Sequence, residues 1–207
     1  MAVINPTKVP PPEIPATVFD LADPKWKGRL ALAPTNASFQ SFVTAMRLSA
    51  GDERTRQWLK AIDANDPKIY EGNALVVRAV NDGEADIGLV NHYYRFELGR
   101  EIGQDKVVAV NHFFTSEDPG ALVNVAGVGI LSAAPDREAA DRFIDYLLQP
   151  LGQQYFAERT FEYPVIAGVN PSAALPPLAE VRGPNIDLSD LADLEATLAM
   201  LRETGLL

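Results

Sequence analysis

The sequence predicts an α/β fold, and three observations lead to it. Apolar runs of strand length alternate with stretches whose apolar residues recur at helical spacing. Good N-cap residues stand where such a run gives way to a periodic stretch. The composition, 47% hydrophobic and 22% charged over 207 residues, is that of a globular chain long enough to bury a core.

The elements follow in order. Residues 3–15 hold Pro6, Pro10, Pro11, Pro12 and Pro15, a density that excludes helix interiors and central strands and predicts an extended lead-in across the surface. Asp23-Pro24-Lys25-Trp26-Lys27-Gly28 reads as a turn, and residues 29–33 as a short apolar strand. Thr35, Asn36 and Ser38 are cap types ahead of a helix bearing Phe39, Phe42, Val43 and Met46. Trp58, Leu59 and Ile62 mark a second helix; Asn73 reads as the cap of a third, which carries Leu75, Val76 and Val80 and ends at Gly83. Residues 85–90 form a buried strand, and Asn91-His92-Tyr93-Tyr94 leads from it into a helix with Phe96, Leu98 and Ile102.

Residues 106–114 and 122–131 read as strands joined by a polar turn over residues 116–120. Residues 136–148 form an amphipathic helix with Phe143, Ile144, Leu147 and Leu148 inside, and Pro150 opens the next, which bears Tyr155 and Phe156. Residues 161–166 are extended and residues 171–184 are a proline-rich connector. Leu191, Leu194, Leu198 and Leu201 make a last helical stripe, stopped by Gly205. Two proline-rich connectors predict that the chain crosses between lobes.

Composition narrows the function. The net charge of −10 comes with no cluster of Lys and Arg, which disfavours nucleic acid and anionic membranes as partners. With no cysteine there is no disulfide, thiolate metal site, iron–sulfur cluster or cysteine nucleophile. Residues 1–12 lack the basic and apolar regions of a secretory leader. G-x-S-x-G, H-E-x-x-H and G-x-x-x-x-G-K-[ST] are absent, so the chain is expected not to be an enzyme. Gly127-Val128-Gly129 has Ser132 where a dinucleotide loop needs its third glycine, and reads as glycines at a close backbone approach. His92 and His112 read as packing or surface residues.

Tyr93-Tyr94 carries the sharpest chemistry. In a strand, adjacent aromatics would face opposite ways. Between a strand and a helix, at the mouth of a sheet, both can lean toward one point. Two phenols there suit a hard, highly charged cation, because a group with a reference pKa of about 10 gives up its proton at neutral pH only to a strong Lewis acid such as iron(III). Helix starts at Thr35-Asn36-Ala37-Ser38 and Asn73, with Asn91 beside the pair, offer donors for a bound anion at successive strand-to-helix edges.

The chain resembles the ferric-ion-binding proteins of bacterial iron ABC transporters, a branch of the type II periplasmic binding proteins, over residues 3–207. Its most specific segment is Gly88-Leu89-Val90-Asn91-His92-Tyr93-Tyr94. Supporting segments are Asp23-Pro24-Lys25-Trp26-Lys27-Gly28, Tyr70-Glu71-Gly72-Asn73, Asn124-Val125-Ala126-Gly127-Val128-Gly129 and Phe161-Glu162-Tyr163-Pro164-Val165. The resemblance implies a lobe with a mostly parallel sheet flanked by helices, and capture of iron(III) outside the cytoplasm or in the periplasm for an ABC transporter permease. It implies Tyr93 and Tyr94 as metal ligands and Asn73 and Asn91 as contacts to a synergistic phosphate or carbonate. The family's anion loop, commonly Ser-Gly-Ser or Ser-Gly-Ala, reads Asn36-Ala37-Ser38 here, which keeps the backbone donors and changes the side chains.

It further implies that a first lobe precedes the crossover and supplies a histidine and a glutamate to the metal. Residues 1–123 and 175–207 then form the C-terminal ligand-binding lobe, and residues 124–174 belong to the other. Iron binding by this chain alone is expected to be weak or absent. The apolar side chains of residues 124–174 are expected to drive homo-oligomer formation. Two other readings stay open: a receptor of the same fold for a polyamine, sulfate or sugar phosphate, and an α/β hydrolase or transferase using Glu117, Asp118 and His112.

Overall fold

The computed structural model describes residues 1–115 and 117–207. The chain forms two compact units, Met1–Val123 with Val181–Leu207, and Asn124–Glu180. The chain enters the second unit at Asn124 and returns to the first at Val181.

The first unit is built on a five-stranded sheet. Its strands are β1 (Ala2–Ile4), β2 (Leu30–Leu32), β3 (Lys68–Ile69), β4 (Ile87–Leu89) and β5 (Val110–His112), in the order β3-β2-β4-β1-β5. β2 pairs in parallel with β3 and with β4, while β1 runs antiparallel to β4 and β5. Four strands thus share one direction and β1 alone is reversed. The helices are α1 (Ala37–Ala50), α2 (Asp52–Ala64), α3 (Asn73–Asn81), α4 (Tyr93–Ile102) and α7 (Leu194–Glu203); α5 and α6 belong to the second unit.

Strand alternation sorts the two faces. Ala2, Ile4, Leu30, Leu32, Ile87 and Leu89 point to one side, where Phe39 and Met46 of α1, Trp58 and Ile62 of α2, and Leu201 of α7 complete a core. Val3 and Ala31 point to the other, against Val76, Val77 and Val80 of α3 and Leu98 of α4. The second face is lined by small residues for a reason. A Cβ on Gly88 would lie 2.4 Å from Val76 Cγ1, so glycine lets α3 lie close on the sheet.

Several expectations are corrected. The lead-in is not a surface segment throughout, since Ala2–Ile4 is buried and closes the gap between β4 and β5. β3, two exposed residues at the sheet edge, carries no alternation and has no counterpart in the sequence reading. The expected strand over residues 106–114 shrinks to Val110–His112, because Val108 N–H and Ala109 N–H donate to Asn81 Oδ1 rather than to a neighbouring strand. Part of the turn expected at residues 116–120, Ser116, lies outside the described residues.

In α7 the leucine stripe is only partly packed, with Leu201 in the core and Leu198 half-buried. Thr197, Met200 and Leu201 are buried while Leu194 is exposed. Polar anchoring decides this: the Thr44 and Thr197 hydroxyls are 2.7 Å apart in the interior, and Arg47 donates to Thr197 Oγ1 and to the Asp193 carbonyl.

The second unit holds α5 (Arg137–Leu147) and α6 (Pro150–Tyr155), followed by a π-helical turn over Phe156–Thr160. Among the described residues it contains no strand, so residues 122–131 and 161–166 join no sheet, and Val125, Val128 and Leu131 are exposed. Gly127 and Gly129 border open space, which removes the close approach expected of them. α5 begins as expected, with Asp136 Oδ1 accepting from Ala139 N–H, but it buries no residue; Phe143 and Leu148 lie open and Ile144 and Leu147 only half-buried. Without a sheet in this unit, the apolar side of α5 has no layer to pack on.

Candidate functional site

Three neighbouring parallel strands deliver three helix starts to one edge. β2 runs out at Leu32 toward α1, β3 at Ile69 toward α3, and β4 at Leu89 toward α4. Adjacent strands lie about 4.8 Å apart, so the first turns of α1, α3 and α4 gather at the C-terminal edge of the sheet, where α/β folds bind ligands.

The α1 loop is internally bonded. Asn36 caps the helix, its Oδ1 accepting from Ser38 N–H at 2.9 Å and from Ser38 Oγ at 2.7 Å. Ala37 is the first helical residue and is exposed. Gln40 Nε2 donates to the Pro34 and Thr35 carbonyls and holds the loop.

Asn73 corrects the sequence reading. Gly72 is the N-cap of α3, and Asn73 is the first residue inside it. Its side chain is 2% exposed and donates from Nδ2 to Ser38 Oγ at 2.9 Å. Capping therefore accounts for Asn36 but not for Asn73, which reaches across to the neighbouring helix start instead.

α4 begins at Tyr93. His92 is its N-cap and makes no side-chain cap bond. Tyr93 and Tyr94 are half-buried, with ring centroids 4.6 Å apart and planes inclined at 39°. Tyr94 packs on the small-residue face of the sheet. Asn91 Nδ2 donates to the Tyr93 hydroxyl at 2.9 Å, and a donor at that oxygen suits a negatively charged ligand atom. The His92 ring sits edge-on to Tyr93 at 5.5 Å. The expected residues thus form two bonded groups on one sheet edge: Asn36, Ser38 and Asn73 in one, Asn91, Tyr93 and Tyr94 in the other. Among the described residues, no group of three or more His, Cys, Asp or Glu side chains is placed to hold a metal.

Two residues of the enzyme reading, Asp118 and His112, bond to backbone groups. Asp118 accepts from Val18 N–H at 3.1 Å and Gly120 N–H at 2.7 Å, and burial raises its pKa. His112 Nε2 lies 3.0 Å from the Pro15 carbonyl, and burial lowers its pKa below the usual imidazole value. Glu117 is exposed, in a left-handed turn with φ 62°.

A family model described as bacterial extracellular solute-binding protein matches residues 1–188. The Fe(3+)-binding periplasmic protein of Serratia marcescens is 35% identical over 206 residues, covering 99% of this chain and 60% of the relative. The crystal structure of iron-bound HitA from Pseudomonas aeruginosa superposes with a TM-score of 0.92 at 33% identity, covering 99% of this chain and 66% of that one. A Trichodesmium protein (IdiA, FutA) in complex with iron and citrate gives 0.83 at 30% identity, covering 100% of this chain and 67% of that one. The chain spans about 60% of the length of the curated relatives it matches.

Proposed function

Because this chain belongs to the bacterial extracellular solute-binding proteins, a family of receptors rather than enzymes, we propose that it contributes the iron(III)-gripping edge of a periplasmic receptor for an ABC transporter permease. One observation carries the reading: two adjacent phenols stand at the first turn of α4, and Asn91 donates to one of them. In this reading Tyr93 and Tyr94 bind the metal as phenolates and cancel two of its three charges. Asn36, Ala37, Ser38, Asn73 and Asn91 hold the synergistic anion, phosphate or carbonate, through backbone and amide donors. The half-buried Asn73–Ser38 bond supports this, because it links two helix starts that need no such link for capping.

The test is titration with iron(III) nitrilotriacetate, a chelate able to fill the coordination positions that two phenolates leave. The expected result is a visible phenolate-to-iron charge-transfer band, strengthened by phosphate or carbonate. A chain that shows no band at millimolar iron, yet is thermally stabilised by sulfate, a polyamine or a sugar phosphate, is a receptor of the same fold for another solute.

We further infer that residues 124–174 belong structurally with a lobe carried by the longer relatives, and that the isolated chain covers their apolar face by self-association. Val128, Ile130, Leu131, Pro135, Phe143 and Ile144 line an open groove of about 400 Å³ within the second unit. Each such side chain gains roughly 1.5–3 kcal/mol on burial, which favours an isologous contact between two copies. Sedimentation velocity should show a concentration-dependent dimer that Phe143→Glu dissociates; a strict monomer at 100 µM or so removes this part of the reading.

A further inference from the structure

β5 contributes to the site edge from the far side of the sheet. Asn111 lies opposite Val3, which lies opposite Gly88, so its side chain shares the small-residue face on which α3 and α4 pack. From there Asn111 Nδ2 donates to the His92 carbonyl at 2.9 Å. Just before the strand, the Ala109 carbonyl accepts from Arg95 Nε at 2.8 Å. The two bonds bracket the tyrosine pair, one at the residue before Tyr93 and one at the residue after Tyr94. They tie the first turn of α4 to a single segment that is itself held by Asn81, whose Oδ1 accepts from Val108 and Ala109 N–H.

A helix start usually takes its orientation from a side-chain cap, and α4 has none. Its direction is set from outside instead. Asn111 is also a poor choice for strand stability, where a β-branched residue serves better. Its Oδ1 is buried with no hydrogen-bond partner among the described residues, a cost accepted while the amide nitrogen makes its one bond. We propose that Asn111 and Arg95 are positioning residues for the metal site: through the His92 and Ala109 carbonyls they fix the angle at which α4 presents the two phenol oxygens. This rests on the iron(III) reading of Tyr93 and Tyr94.

The test compares wild type, Asn111→Ala, Asn111→Gln and Arg95→Lys, with iron(III) nitrilotriacetate in phosphate as the probe. Asn111→Ala should weaken iron binding about 10–100-fold, the usual effect of losing an outer-shell partner, and shift the charge-transfer band, while its melting temperature stays near wild type. Arg95→Lys, which keeps the charge and loses the Nε donor, should move the band as well. Asn111→Gln, with the same amide on a longer arm, should recover part of the affinity. A band and affinity unchanged in both Asn111→Ala and Arg95→Lys overturn the assignment and leave the iron reading intact. Wild type without any band overturns both. If Asn111→Ala does not fold, Arg95→Lys decides by the same two readouts.

Discussion

Tyr93→Phe is expected to abolish or strongly shift the visible band that iron(III) produces with the wild-type chain. The substitution keeps the ring, its 4.6 Å contact with Tyr94 and its place at the first turn of α4, and removes only the oxygen. That oxygen is the group Asn91 donates to, so the variant also leaves the Asn91 amide without its acceptor. Loss of a ligand should exceed the roughly 10–100-fold that removal of an outer-shell partner costs. Tyr94→Phe should behave alike, and the double variant should show no band at all. The pH dependence has a definite sign. Protons compete with the metal for each phenolate, so affinity falls on acidification from neutral pH. Affinity that stays level down to mildly acidic pH, or a full band in Tyr93→Phe, would show that the metal is held by other groups.

Trp26→Ala should be the most destabilising single change in the first unit. Trp26 is fully buried, its Nε1 donates to the Asp20 carbonyl at 3.0 Å, and Arg29 and Lys25 lie over the ring at 4.7 and 4.9 Å. The side chain joins the 3₁₀ turns Val18–Ala22 and Pro24–Trp26 to the core beneath β2. Truncation of a buried tryptophan costs about 3–5 kcal/mol, against a total stability of about 5–15 kcal/mol for a domain. Trp58 remains as the fluorescent probe, so urea unfolding reads the loss directly. A loss below about 1 kcal/mol would mean that the site collapses around the smaller residue.

The placement of the two tyrosines at a helix start was legible because its signals are local. A buried strand ends, a helix begins, and two aromatics fall at the junction, where strand alternation no longer separates them. Asn36 was legible for the same reason, since a cap is made within two residues. Asn73 was half-legible: an asparagine at a helix start reads as a cap, and only the packed structure turns it toward Ser38, 35 residues away. Asn111 carried no local signal, because its partner is a backbone carbonyl 19 residues distant on another element.

The same division holds for the fold. Periodicity, capping residues and glycine stops act over a few positions, so the sequence by itself determined the α/β class, the helices α1 to α7, the strand leading to Asn91 and the place of the two tyrosines at a helix start. Tertiary structure alone decided which short segments became strands and which helix faces were buried. Ala2–Ile4 is a strand because two neighbours stand ready to bond it, whereas residues 122–131, with equal apolar character, find none. α7 turns Thr197 inward beside Leu201, leaving Leu194 exposed, because Thr44 and Arg47 wait there. Backbone and side-chain hydrogen-bonding groups must find partners once buried, and those partners lie far along the chain, beyond the reach of any local pattern.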